Sequence, residues 1–151
     1  EGLYACGETT GGMHGADRIG GLSSANGIVF GRIAGTSAAQ AAQNAPEVAP
    51  KAVIALPQYG IATTVAERLT RSLKHTMSTH CMINRTETGL SEALHELEGL
   101  KTEATTLSTQ KAQDSEVAAL ARLQSQIQLA QEMVKAMRKR TESLGSHYRA
   151  D

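Results

Sequence analysis

Three side chains near the start of the chain have the types and spacing to hold a polar small molecule. Glu8 offers an ionised carboxylate, which only accepts hydrogen bonds and so suits sugar-type hydroxyls. Arg18 offers a guanidinium fork that grips a carboxylate through two parallel hydrogen bonds and keeps its charge. His14, four residues before it, either lines the same pocket as a substrate-binding group or hydrogen-bonds the backbone to fix the turn. Ten of the fourteen glycines fall in the first 35 residues and surround all three side chains. Glycine at that density lets backbone amides approach a bound group and turn through positive φ, so the run reads as a cofactor cradle.

The elements that must position these groups can be read from the same stretch. Leu3, Tyr4 and Ala5 form a short apolar run ended by Gly7, which suits a buried strand over residues 3–6 that delivers Glu8 at its carboxyl end. Ser23 is placed to N-cap an alanine-rich helix running to Gln43, on which Gly27, Gly31 and Gly35 leave one side bare for close packing. Pro46, Pro50 and Pro57 end that helix and prevent another from starting, which makes residues 46–62 a linker. Beyond it glycine thins out and helical spacing takes over, predicting helices over 63–81, 88–107 and 115–144. In the last of these Val117, Leu120, Leu123, Ile127, Ala130, Val134 and Met137 make one apolar stripe, with Asp114 and Glu116 at its start and Arg138, Lys139 and Arg140 near its end, all favourable to the helix dipole. Leu90, Leu94, Leu97 and Leu107 give the neighbouring helix a matching stripe, and an antiparallel bundle follows.

The order Gly2-Leu3-Tyr4-Ala5, Gly7-Glu8, Gly11-Gly12, His14-Gly15-Ala16, Arg18, Gly20-Gly21, Ser23 and Phe30-Gly31-Arg32 resembles the last stretch of the FAD-binding domain in the succinate dehydrogenase, fumarate reductase and L-aspartate oxidase flavoproteins. Asp17 and Leu22 stand where members of that family more often carry asparagine. At the other end Glu142, Ser143, Gly145, His147, Arg149 and Asp151 are similar to the motif that closes the family's helical C-terminal domain, with Leu144 in place of the usual arginine. The resemblance implies a mainly α chain: residues 1–45 as the terminal strand-helix piece of an FAD-binding α/β domain, then residues 63–151 as a three-helix C-terminal bundle.

The same resemblance implies FAD as the cofactor of the complete protein, with Glu8 on a ribityl hydroxyl and Gly7, Ser23 and Ser24 as further cofactor-binding residues. The helix opening at Ser23 would then point its positive end at the flavin N1/C2 region. Arg18, with His14, would hold a substrate carboxylate while hydride passes between flavin N5 and a carbon of succinate or fumarate. No Gly-x-Gly-x-x-Gly turn follows a strand, and the adenine site, the substrate-capping domain and the family's proton-donor arginine are not in this sequence. The expectation is therefore a C-terminal part that is inactive alone, whose partners are the remainder of the flavoprotein, a dicarboxylate substrate and an iron-sulfur subunit. Its expected location is the cytoplasm, peripheral at the inner face of the membrane through partner subunits. The rival readings are an L-aspartate oxidase, which takes an amino acid, and a non-catalytic helical module that docks onto another subunit.

Composition narrows the classes further. Fifteen basic and fifteen acidic residues balance, leaving no global field to draw nucleic acid. Cys6 and Cys81 have no partners at metal-ligand spacing, and His75, His80 and Cys81 do not make a metal trio, so no metal site is expected and both cysteines read as free thiols of a reducing compartment.

Overall fold

The computed structural model describes residues 2–46 and 58–151. The chain divides into two compact units, Glu1–Val53 and Ile54–Asp151. Residues 47–57, most of the linker expected over 46–62, lie outside the described residues.

In the first unit a 3-10 turn, Gly7–Thr10, precedes helix α1, Leu22–Gln43. The helix starts earlier than its sequence suggests: Gly21 is the N-cap, and Ser23 sits inside the first turn without capping it. Gly21 has φ 89°, a left-handed conformation that costs glycine nothing, and its carbonyl accepts from the amides of Ser24 and Ala25 at 3.1 and 3.4 Å. A backbone reversal thus does what a hydroxyl was expected to do. The bare side of α1 is used where it meets the 3-10 turn. A Cβ on Gly7 would stand 3.7 Å from the Gly27 Cα, and one on Gly31 would stand 3.8 Å from the Cys6 Sγ.

The strand expected over residues 3–6 does not form. Cys6 is extended, but strands persist by pairing backbone groups with a neighbour, and none of the described residues pairs with this segment. Leu3, expected inside, is 95% exposed.

The second unit is a three-helix bundle of α2 (Thr63–His80), α3 (Glu87–Thr106) and α4 (Asp114–Lys139). The mainly α expectation holds, and the helix starts agree with the sequence to within one residue. Thr86 caps α3 by accepting from the Gly89 amide at 3.1 Å, and Glu116 accepts from the Gln113 amide at 3.0 Å to hold the first turn of α4. Leu69, Leu90, Leu97, Leu123, Ile127 and Val134 are almost completely buried in one shared core. Leu107, expected to extend the stripe of α3, falls past the end of the helix and is exposed; Ala93 and Ala104 complete that face instead. Arg68 ties α2 to α3 through Glu103 at 2.6 Å.

Two-residue strands fasten the ends of the bundle. β1 (Tyr59–Gly60) pairs antiparallel with β3 (Thr109–Gln110), and β2 (Asn84–Arg85) pairs parallel with β4 (Tyr148–Arg149). Gly60 is required by close approach: a Cβ there would lie 2.5 Å from that of Ala112 and 2.7 Å from the Val117 amide nitrogen. Its tight seating carries the next residue, Ile61, into the core, where the Ile61 amide donates to the Glu116 carbonyl at 3.2 Å.

Helix α4 ends at Lys139, five residues short of the expected 144. Arg140 leaves the helix with extended backbone, and its carbonyl turns to accept from side chains of the C-terminal segment, His147 Nε2 at 2.8 Å and Arg149 Nη1 at 3.4 Å. Those bonds replace the helical ones that continuation would have offered.

Candidate functional site

Within the first unit, a pocket of about 220 Å³ is lined by Gly7, Glu8, Thr10, Gly11, Met13, His14, Asp17, Arg18, Ser23 and Asn26. Each side comes from a short local element. The 3-10 turn presents Glu8 and is closed by Thr10, whose hydroxyl donates to the Gly7 carbonyl at 2.6 Å. The glycine-rich loop presents His14 and Arg18, and the Arg18 amide donates to Asp17 Oδ1 at 2.8 Å. The first turn of α1 presents Ser23 and, three residues on along the same face, Asn26.

Five of the six residues picked out in the sequence meet at this pocket: Gly7, Glu8, His14, Arg18 and Ser23. Ser24 does not line it and is exposed. Arg18 Nη2 lies 3.3 Å from Glu8 Oε1, so the two charged groups face each other; the Arg18 side chain is 34% exposed and that of Glu8 is largely solvated. A pair this open contributes little to stability and is free to rearrange. His14 is held differently, with its Nε2 3.1 Å from the Asn26 amide nitrogen. Asn26 was not picked out in the sequence, although its i+3 spacing from Ser23 put it on the same helix face. It is buried, and its Oδ1 has no hydrogen-bond partner.

A larger depression, about 1020 Å³, lies in the helical unit against Tyr59, Val117, Leu120 and Ala121. Most of its exposed wall is apolar, although Gln58, Lys111, Asp114 and Gln124 also line it. A depression of about 620 Å³ between α2 and α3 gathers Arg71, His75, Glu96 and Glu103; the smaller pocket is the better candidate because its acid, guanidinium and imidazole converge on a glycine-rich loop and the first turn of a helix, where backbone amides can also reach a ligand.

The C-terminal motif forms a second polar cluster, and its geometry is structural. Arg85 Nη1 is 2.6 Å from His147 Nδ1 and its other nitrogens reach the Cys81 carbonyl, joining β2 to β4. Arg149, whose side chain is only 7% exposed, donates to Asp151 at 2.9 and 3.0 Å and to Glu87, which Arg138 also engages. Asp151 Oδ2 accepts from the Glu87 amide at 2.8 Å, so the end of the chain satisfies the N-terminus of α3. Burial pushes the Cys81 thiol up, with Arg85 opposing. Among the described residues no group of three His, Cys, Asp or Glu side chains is arranged to hold a metal ion, and no helix is long and apolar enough to cross a membrane.

The Arg149 hydrogen bonds, followed by the Glu87 amide, hold the Asp151 carboxyl well below the usual carboxylate range. A carboxyl depressed on folding contributes stability that is complete above about pH 5 and is lost as pH falls toward the folded value. Asp151→Asn is expected to lower the melting temperature at neutral pH, by an amount that shrinks steadily below about pH 4. Melting curves of both proteins across that range check it; an equal deficit at every pH would remove the ionised carboxylate from this role.

The family described as the fumarate reductase flavoprotein C-terminus matches residues 70–151. The chain is 32% identical to an FAD-dependent oxidoreductase of Methanocaldococcus jannaschii, over 99% of its own length and 29% of the relative's. It is 30% identical to one of the subunits of the CoM/CoB fumarate reductase of Methanothermobacter marburgensis, again over 99% of its own length and 29% of the relative's. It is 29% identical to a mitochondrial succinate dehydrogenase flavoprotein subunit of Xenopus laevis, over 99% of its own length and 24% of the relative's. It therefore spans less than a third of each of these relatives. No solved structure matches it.

Proposed function

Because the chain belongs to the fumarate reductase flavoprotein C-terminal family, a family of FAD-dependent oxidoreductases, we propose that it is the C-terminal part of an enzyme that interconverts fumarate and succinate or a similar dicarboxylate pair. The observation that carries the proposal is the meeting of Glu8, Arg18 and His14 in one glycine-walled pocket at the start of α1. In this reading residues 1–45 complete the FAD-binding domain, and residues 63–151 are the helical C-terminal domain.

The residues present fit a flavin with a polyol chain. Glu8 and the orphaned Asn26 Oδ1 are both acceptors on the same small pocket, matching a group rich in hydroxyl donors. Bound there, the flavin supplies the site that takes and returns hydride. Glu8 accepts from a ribityl hydroxyl. The first-turn amides of α1, around Ser23 and Ser24, present the positive end of the helix to the reduced ring. Arg18 holds a substrate carboxylate: a guanidinium has five N–H donors, so engagement by Glu8 leaves a fork to spare. His14 has its Nε2 turned to Asn26, which supports a turn-fixing role and leaves Nδ1 as the atom that reaches substrate.

Apolar exposure supports a covered surface on the first unit. Leu3, Ile19 and Ile28 are each at least three-quarters exposed, and Val29 and Ile33 stand out from the same helix as Ile28. The remainder of the flavoprotein is the proposed cover. Two of the relatives are named as subunits, which supports a partner subunit; that the partner is an iron-sulfur protein, and that it holds the flavoprotein at the inner face of a membrane, are parts of the proposal itself. The L-aspartate oxidase reading shares the same arginine.

The cradle is only about 220 Å³, below the roughly 300 Å³ at which pockets begin to enclose a drug-sized ligand. These 151 residues are accordingly expected to bind FAD weakly or not at all, whereas the longer flavoprotein should purify with bound, yellow FAD. Titration of the short chain with FAD and the absorption spectrum of the long one test this. A colourless long protein that takes up no added FAD sinks the flavin proposal; tight stoichiometric binding by the short chain sinks the division of labour.

A further inference from the structure

Asn26 is the one buried residue of α1, 8% exposed, and it lines the cradle together with Glu8, His14 and Arg18. Its amide nitrogen is 3.1 Å from His14 Nε2, and its Oδ1 is buried with no hydrogen-bond partner. In this orientation the amide nitrogen donates to His14 Nε2, which requires the Nδ1–H tautomer of His14 and leaves an acceptor as the open atom. An unpaired buried amide oxygen carries the whole cost of its lost hydration, and alanine at the same helical position would avoid it. Something must therefore bring a donor.

The kind of donor follows from the charges around it. An ionised carboxylate brings none, so the substrate's acid groups, which belong on Arg18, cannot satisfy this atom. A polyol presents hydroxyls on successive carbons and can serve two acceptors in a small volume. We propose that Asn26 is a further cofactor-binding residue, its Oδ1 accepting from a second hydroxyl of the flavin's ribityl chain beside the one held by Glu8. His14 is the positioning residue that holds the amide for it. The proposal rests on the flavin reading above.

The test measures dissociation constants of the flavin-free long protein, by fluorescence quenching, for FAD and for FAD analogues each lacking one ribityl hydroxyl. The parent should lose about tenfold in affinity for two analogues, one answering to Glu8 and one to Asn26. Asn26→Leu should bind FAD about tenfold more weakly and no longer discriminate against its analogue, while its flavin-free melting temperature stays level or rises. Asn26→Asp, which keeps an acceptor, should keep the discrimination. If Asn26→Leu does not fold, Asn26→Ala takes its place in the comparison. Unchanged affinity for FAD and all analogues in the variant would mean that a water molecule satisfies Oδ1, and would overturn the proposal. So would a loss equal for FAD and every analogue. A parent that binds no flavin overturns the flavin reading itself, a result distinct from either.

Discussion

Arg18→Lys in the complete flavoprotein is expected to lower kcat/KM for dicarboxylates by about one and a half to nearly four orders of magnitude. Lysine keeps the charge but not the planar fork, and losing one side of a desolvated, two-pronged charge contact costs roughly 2–5 kcal/mol. Each ~1.4 kcal/mol is tenfold in rate. Flavin content should stay near that of the parent, because Glu8 and the first turn of α1 are untouched and the Arg18–Glu8 contact is too solvated to hold the fold. Steady-state kinetics and the flavin-to-protein absorbance ratio read the two quantities separately. Near-full activity would make Arg18 a structural residue, and loss of flavin with activity would make it a cofactor ligand.

Leu97→Ala is expected to be among the most damaging single truncations in the helical unit. Leu97 is completely buried on α3, in the core that α2, α3 and α4 share. Removing such a side chain costs the transfer free energy of the lost atoms and leaves a cavity, together about 2–5 kcal/mol. For a unit of this size 1 kcal/mol moves the melting point by roughly 4–8 °C, so a fall of roughly 8–40 °C should appear in the helical circular-dichroism signal. Leu129→Ala serves as the control: the same residue type on α4, but 62% exposed, where substitutions usually stay within about 0.5 kcal/mol. Equal melting shifts for the two would refute the placement of Leu97 in that core.

Much of this molecule is local in origin, and local features are what a sequence records. The stripe from Val117 to Met137 repeats at helical spacing, and its middle five residues, Leu120, Leu123, Ile127, Ala130 and Val134, are buried where the spacing put them, while Val117 and Met137 at its two ends are half-buried. Glu8, His14, Arg18 and Ser23 lie within sixteen residues of one another in a glycine-rich stretch, so their meeting needs only turns that the stretch itself can make.

What only the tertiary structure decided are the matters that depend on a distant partner. Residues 3–6 have strand-forming composition, yet a strand is a relation between two segments, and among the described residues no second one answers. Helix α4 had the residues to run on to 144, but His147 and Arg149 take the Arg140 carbonyl and stop it at Lys139. Gly21 starts α1 because the loop must reverse there, which makes the hydroxyl of Ser23 unnecessary as a cap. Asn26 is the sharpest case. In the sequence it is one polar residue in a helix of small ones, and only the approach of His14 from the loop fixes one end of its amide and exposes the other as an unanswered acceptor. Periodicity and glycine content are properties of a segment, whereas burial and hydrogen-bond satisfaction belong to pairs of segments, and the second kind exists only once the chain has folded.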